Sequence, residues 1–225
     1  MKDMIRKIII FIILIVLPFC LFAQTEFTSG YVTEKYKLLE QSRVGCVCLG
    51  WSKTGLIAML TTSIPMEPVG GLHLELVIID CVTDQVVTAF VVKDPTKDTL
   101  EPGPLRQAVE FCNVKKILPH FSLVHGFPLS YNTDTYVIRK LAPEEQDNTE
   151  KRYKLLAQSS TRYKLLDLFC VPDEIMGYFK SPFEERIAIC YWVPPEDGPT
   201  GTTLGGGYYR VSGCHMKVGF RQADD

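Results

Sequence analysis

Between residues 44 and 92 the chain spells four short apolar runs, at 44–51, 56–62, 72–80 and 86–92, each closed off by Gly, Pro, Asp or Thr. Runs of this length, β-branched and alternating with period two, form strands, and connections this short pair neighbours antiparallel. An antiparallel meander is therefore expected. In the third run Leu72, Leu74, Leu76 and Ile78 fall on one face, and His73, Glu75, Val77 and Ile79 on the other. The second face begins polar and ends apolar, so this strand should run from an exposed edge into the core.

One helix interrupts the pattern, near 104–118. Pro102-Gly103-Pro104 breaks the chain, and Leu105, Val109, Cys112 or Asn113, Lys116 and Ile117 follow with helical spacing. Pro104 suits a first helical turn, and Pro119 is expected to stop the helix. Further strands are expected at 135–141, 153–158, 163–169, 186–193 and 208–220. Two polar loops separate them, the charged stretch 143–151 and the Gly-rich stretch 194–207. Backbone N–H groups in Gly-rich loops can hold phosphate. This one lacks a following Lys-Ser/Thr pair and leads into a strand, so it reads as a hairpin connection. The fold class implied is mainly β, an antiparallel meander arranged as a partial propeller-like body or as two packed sheets, with one helix.

The start of the chain reads as an address. Lys2, Arg6 and Lys7 stand against Asp3, residues 8–22 carry no charge, and Ala23 follows. A basic start and a short apolar stretch ending in a small residue describe a secretory signal peptide, so residues 1–23 are expected to be removed. The alternative is an uncleaved membrane anchor over residues 8–22, favoured by bulky Phe22 beside the cut. Lipid attachment at Cys20 is disfavoured by Phe19 before it. Cleavage leaves a single β-rich exported domain, residues 24–225, and moves the net charge from −2 to −4. That charge offers no field to gather phosphates, so nucleic acid is excluded as a partner. With 46% hydrophobic and 22% charged residues, disorder, collagen and coiled-coil classes are excluded too.

The exported part keeps Cys46, Cys48, Cys81, Cys112, Cys170, Cys190 and Cys214. Export permits disulfides, but one free thiol and three pairs can be chosen in about 105 ways, so the connectivity stays open. Most of these residues sit in strand-like runs, where a buried Cys acts as a small hydrophobe. Cys46 and Cys48 would share a strand face, and Cys112, His120 and His125 fall close together. The doubled C-x2–4-C pattern of structural zinc is nevertheless missing. Adjacent Cys214 and His215 would face opposite sides of a strand. His73, His120, His125 and His215 have no motif around them and read as surface or structural residues.

Two internal echoes occur. Tyr-Lys-Leu-Leu appears at 36–39, 153–156 and 163–166, and the last two copies, ten residues apart, fit the arms of a hairpin. Local β patterning accounts for the repetition without a true repeat. The second echo begins at Trp51-Ser52-Lys53-Thr54-Gly55-Leu56-Ile57-Ala58, continues through the strand and turn Leu76 to Asp84, and returns at Phe179-Lys180-Ser181 through Arg186-Ile187-Ala188. These segments resemble the strand openings of TolB-type β-propeller blades, in which Ser and Gly make the turn and apolar residues begin an inner strand. The order of elements is also similar to that of small secreted bacterial proteins of unknown function. The resemblance implies a compartment and a blade-like strand arrangement, and no activity.

No catalytic, cofactor-binding or metal residues are assigned. G-x-S-x-G, H-E-x-x-H and S-x-x-K are missing, and Ser181-Pro182-Phe183-Glu184 fails the last of these. The reading favoured is a non-enzymatic secreted or periplasmic domain that binds a protein or cell-envelope partner, with aromatic strand ends such as Tyr191-Trp192 and Tyr208-Tyr209 available for contact. One alternative is an extracytoplasmic hydrolase drawing on Asp80, Asp84, Asp94, Asp98, Glu144, Glu145, Glu184 or Glu185. The other is a membrane-tethered structural protein that retains residues 8–22.

Overall fold

The computed structural model describes residues 26–42, 45–63, 73–94, 96–141, 153–160, 162–166, 168, 174–194 and 206–222. The signal segment, Cys170, Glu144, Glu145, the charged loop and most of the Gly-rich loop lie outside these residues.

Twelve strands and two helices are described: α1 (Ser29–Ser42), β1 (Cys46–Trp51), β2 (Leu56–Ser63), β3 (His73–Asp80), β4 (Gln85–Lys93), α2 (Pro102–Val114), β5 (Leu118–Ser122), β6 (Leu129–Tyr131), β7 (Asp134–Lys140), β8 (Tyr153–Ala157), β9 (Tyr163–Leu166), β10 (Glu174–Lys180), β11 (Arg186–Val193) and β12 (Tyr208–His215). All strand pairings are antiparallel, as the alternation implies. Hydrogen bonding joins eight strands into one sheet, but β12 meets β2 only at Tyr208 and Ser63. The eight therefore divide into a five-stranded layer, β4-β3-β2-β1-β5, and a three-stranded layer, β10-β11-β12. A third sheet follows the order β6-β7-β8-β9.

Three cores stack these layers. The first holds Leu49, Leu60, Leu76 and Ile78 from the five-stranded layer against Tyr31, Val32 and Leu39 of α1 and Leu105, Ala108 and Cys112 of α2. The second lies on the opposite face, where Cys46, Trp51, Ile57, Met59 and Ile79 meet Phe179, Ala188, Cys190 and Val211. The third packs Ile187, Ile189 and Cys214 against Tyr136, Leu155 and Ala157. The order is helices, five strands, three strands, four strands. β3 shows how alternation feeds two cores at once. Leu74, Leu76 and Ile78 enter the first and Val77 and Ile79 the second, while His73 and Glu75 remain half-exposed.

The expected helix is displaced. It starts at Pro102 and ends at Val114, because Lys116 takes a left-handed backbone (φ 53) and the Lys116 and Ile117 N–H groups turn back to the Asn113 and Cys112 carbonyls. That is a Schellman stop. Pro119 consequently does not end a helix and lies inside β5, paired with Gly50 at a layer margin where proline is tolerated. α1 is a second helix, started by Thr28, whose Oγ1 accepts the Tyr31 N–H at 3.1 Å. The two helices lock together where the Asn113 amide accepts from Phe27 N–H (2.8 Å) and donates to Phe27 O (3.0 Å). Strands β5, β6 and β10 also join those expected from the pattern.

The hairpins β1–β2 and β10–β11 share one turn design. The buried Ser52 Oγ accepts the Thr54 and Leu56 N–H groups at 3.2 and 2.9 Å, and Gly55 supplies a φ of 90. The buried Ser181 Oγ accepts from Phe183 and Glu184 N–H at 3.3 and 3.4 Å. In both, the serine N–H closes the hairpin on the residue opening the next strand, Leu56 and Arg186 respectively.

Candidate functional site

β5 and β10 each form a margin of their own layer, and an open groove of about 700 Å³ lies where these margins meet. His120, Phe121 and Ser122 of β5, Leu123 and His125 after it, and Lys180, Ser181 and Pro182 at the end of β10 line it. Two backbone bonds set the spacing. His125 N–H donates to Tyr178 O (2.9 Å), and Tyr178 N–H donates to His125 O (2.8 Å). The crossing is so close that a Cβ at position 177 would run into the His125 carbonyl, and Gly177 holds a φ of 145 there. Only glycine accepts both conditions without strain.

Polar groups are distributed unevenly over the walls. Lys180 is exposed, and among the described residues no carboxylate pairs with its ammonium. Burial holds His120 below the ordinary imidazole range, favouring its neutral form, while the Cys48 thiol donates to its backbone carbonyl at 3.5 Å. His125 is exposed; its Nε2 lies 3.4 Å from Ser122 Oγ, and its ring stands 5.7 Å from that of Tyr178. The Ser122 hydroxyl donates to Leu123 O at 2.8 Å. No carboxylate orients the His125 ring among the described residues, so Ser122 and His125 lack the third member that activates a serine nucleophile.

The carboxylates considered for hydrolysis are engaged elsewhere. Asp80 Oδ1 accepts the Val82 N–H and Asp94 Oδ1 accepts the Thr96 N–H, each at 2.8 Å. Asp84 accepts from Gly213 N–H (2.6 Å) and the Ser212 hydroxyl (2.9 Å). Glu184 pairs with Arg186 at 2.8 Å and Glu185 with Lys217 at 2.6 Å. Asp98 lies in the connection from β4 to α2. No two of them converge on a shared pocket among the described residues.

The six described cysteines are dispersed over all three cores. Cys46, Cys48, Cys81 and Cys190 lie in the second, Cys112 in the first and Cys214 in the third, all buried as free thiols. Burial pushes the Cys112 thiol up to about 12 and that of Cys214 up to about 11, so neither is a nucleophile at neutral pH. Among the described residues no three His, Cys, Asp or Glu side chains gather as metal ligands, and no helix is long and apolar enough to cross a membrane. His73 sits in β3 and His215 ends β12, both away from the groove. Nothing local in the sequence joins His120 and His125 to Lys180, because their strands come from distant parts of the chain. No protein-family model, curated protein or solved structure matches the chain.

Proposed function

We propose that the chain is exported and that residues 24–225 act as a non-enzymatic binding domain, taking an acidic, extended segment of an envelope or extracellular protein into the groove between β5 and β10. The observation that carries this reading is the convergence of His120, His125 and Lys180, whose ammonium no carboxylate pairs among the described residues, around the apolar surface of Phe121, Leu123 and Pro182. A cation beside apolar walls suits a carboxylate-bearing peptide, and a groove between two sheet margins suits an extended one. Cleavage after Ala23 fits the basic, uncharged and small-residue pattern before it, and predicts a mature protein that begins at Gln24.

A photo-crosslinking side chain placed at Leu123 in cells tests the binding reading. The expected result is one dominant envelope adduct that excess purified protein competes away and the Lys180→Glu protein does not. The alternative, an extracytoplasmic hydrolase with an unrecognised site, has the Ser122–His125 contact as its candidate nucleophile and base, without an orienting carboxylate among the described residues. It predicts turnover of an activated ester that Ser122→Ala abolishes, and that turnover without a Leu123 adduct would overturn the binding reading. Mass spectrometry of the mature N-terminus, with carbonate washing of membranes, separates the exported domain from a tethered one.

A further inference from the structure

We propose that Cys46 and Cys190 close into a disulfide that ties β1 to β11 across the second core. Their sulfurs lie 3.1 Å apart although the residues are 144 positions apart in the chain. That is nearer than nonbonded heavy atoms usually rest and about 1 Å beyond a covalent S–S bond. Both side chains are buried in the same core, one from each layer. Of the other described thiols, Cys48 and Cys81 share that core, while Cys112 and Cys214 lie in the other two. Cys48 is aimed at the Gly50 and His120 carbonyls, Cys112 lies in the first core, and Cys214 lies in the third core near His215 O. Among the described residues this is the one pair of sulfurs in contact.

The two thiols lose two protons and two electrons, and the oxidant is a disulfide, either a protein dithiol–disulfide donor or glutathione disulfide. One thiolate attacks a sulfur of the oxidant and releases its first thiol. The second thiolate then displaces the other oxidant sulfur from the mixed disulfide, leaving Cys46–Cys190 bonded and the oxidant fully reduced. Burial keeps an oxidant away from the finished core, so the exchange belongs to folding, before the two layers close.

The bond would join the two strands that lie next to the groove's margins, β1 beside β5 and β11 beside β10. Cys46 is on β1, the strand that carries β5, and Cys190 pairs in register with Gly177 of β10, where the His125 crossing takes place. Oxidation therefore ties together the strands on which the two margins are built. The inference needs neither export nor peptide binding, since glutathione disulfide supplies the chemistry in vitro.

The test refolds the full chain in glutathione buffer, alkylates free thiols under denaturing, non-reducing conditions and maps peptides. The expected product is about 2 Da lighter than the reduced chain before alkylation and contains one crosslinked peptide joining residues 46 and 190. Cys48→Ala and Cys81→Ala retain the crosslink, and the Cys46→Ala/Cys190→Ala protein lacks it. Closing so long a loop should raise the thermal midpoint of the wild-type protein on the order of 10 °C over its reduced form. Complete alkylation of both residues in protein with native circular dichroism, a crosslink to any other cysteine, or equal midpoints would overturn the proposal. The mapping uses wild-type protein, so a variant that fails to fold does not weaken it.

Discussion

The seam between the five-stranded and three-stranded layers is built differently at its two ends. At the end formed by the β3–β4 turn the contacts are polar and directional. Asp84 receives Gly213 N–H and the Ser212 hydroxyl, its own carbonyl accepts from Arg210 at 3.2 Å, and Arg186 donates to Cys81 O at 2.9 Å. Backbone meets backbone there, since a Cβ on Gly213 would strike the Cys81 carbonyl. At the other end the layers are joined by the single Tyr208–Ser63 bridge, the Cys46–Cys190 sulfurs and the Tyr209 ring lying over Gly45. Polar contacts fix position through geometry and tolerate little. Sulfur and ring contacts are adaptable, and they leave a chemical means of tightening the joint.

The contrast predicts unequal responses to the same change. Gly213→Ala drives a methyl into backbone and should cost about 4 kcal/mol, read from urea unfolding. Gly45→Ala meets the Tyr209 ring first, a side chain rather than backbone, so its cost should be smaller, near 1–2 kcal/mol; equal losses would erase the distinction between the ends. Asp84→Ala leaves two donors without their acceptor and puts Ala at a φ of 58, for an expected loss of about 3 kcal/mol. Asp84→Asn, which tolerates that backbone, should recover part of it.

Alkali probes the sulfur end. Burial holds the Cys81 thiol well above its ordinary range, and the contact with Cys46 together with burial does the same for Cys190. Unfolded thiols begin to ionise near pH 8.5, while the folded ones keep their protons. Stability is thus full below about pH 8.5 and is lost as pH rises toward the folded values. Oxidising Cys46 and Cys190 removes Cys190 from that account, so the oxidised protein should lose stability more gently, by about 1.4 kcal/mol per pH unit, in urea titrations from pH 8.5 to 11. The smallest effect concerns the shared turn design. Ser52→Ala and Ser181→Ala should each cost about 1 kcal/mol, and a large inequality would show that the two hairpins are not held alike.

Strands buried on one or both faces were legible because alternation and turn chemistry are local. The run 186–193 coincides with β11, and the twin Tyr-Lys-Leu-Leu arms pair as β8 and β9, with Tyr153 opposite Leu166. The copy at 36–39 teaches the limit of such reading. The same four residues are helical in α1, where Tyr36 and Leu39 turn inward onto the core that covers the five-stranded layer. Tertiary burial there outweighs strand propensity. Short margins such as β5 and β6 carry too few residues to show a period. The groove was illegible for a different reason, since His120 and Lys180 become neighbours only through the pairing of β5 with β1, the stacking of layers and the Gly177 crossing. The proximity of Cys46 to Cys190 is equally a product of stacking.

The order in which the layers occur along the chain has a kinetic consequence. The helix-covered core can assemble from residues up to Ile117, but the opposite face of that same sheet, with Trp51, Ile57 and Met59, is closed only by strands that begin at Glu174. A chain emerging N-terminus first therefore carries an uncovered apolar surface until nearly all of it has been made. Contacts this distant in sequence are slow to form, and surfaces left open during that wait invite association with other chains. The last three long strands act as a closing cover for that surface.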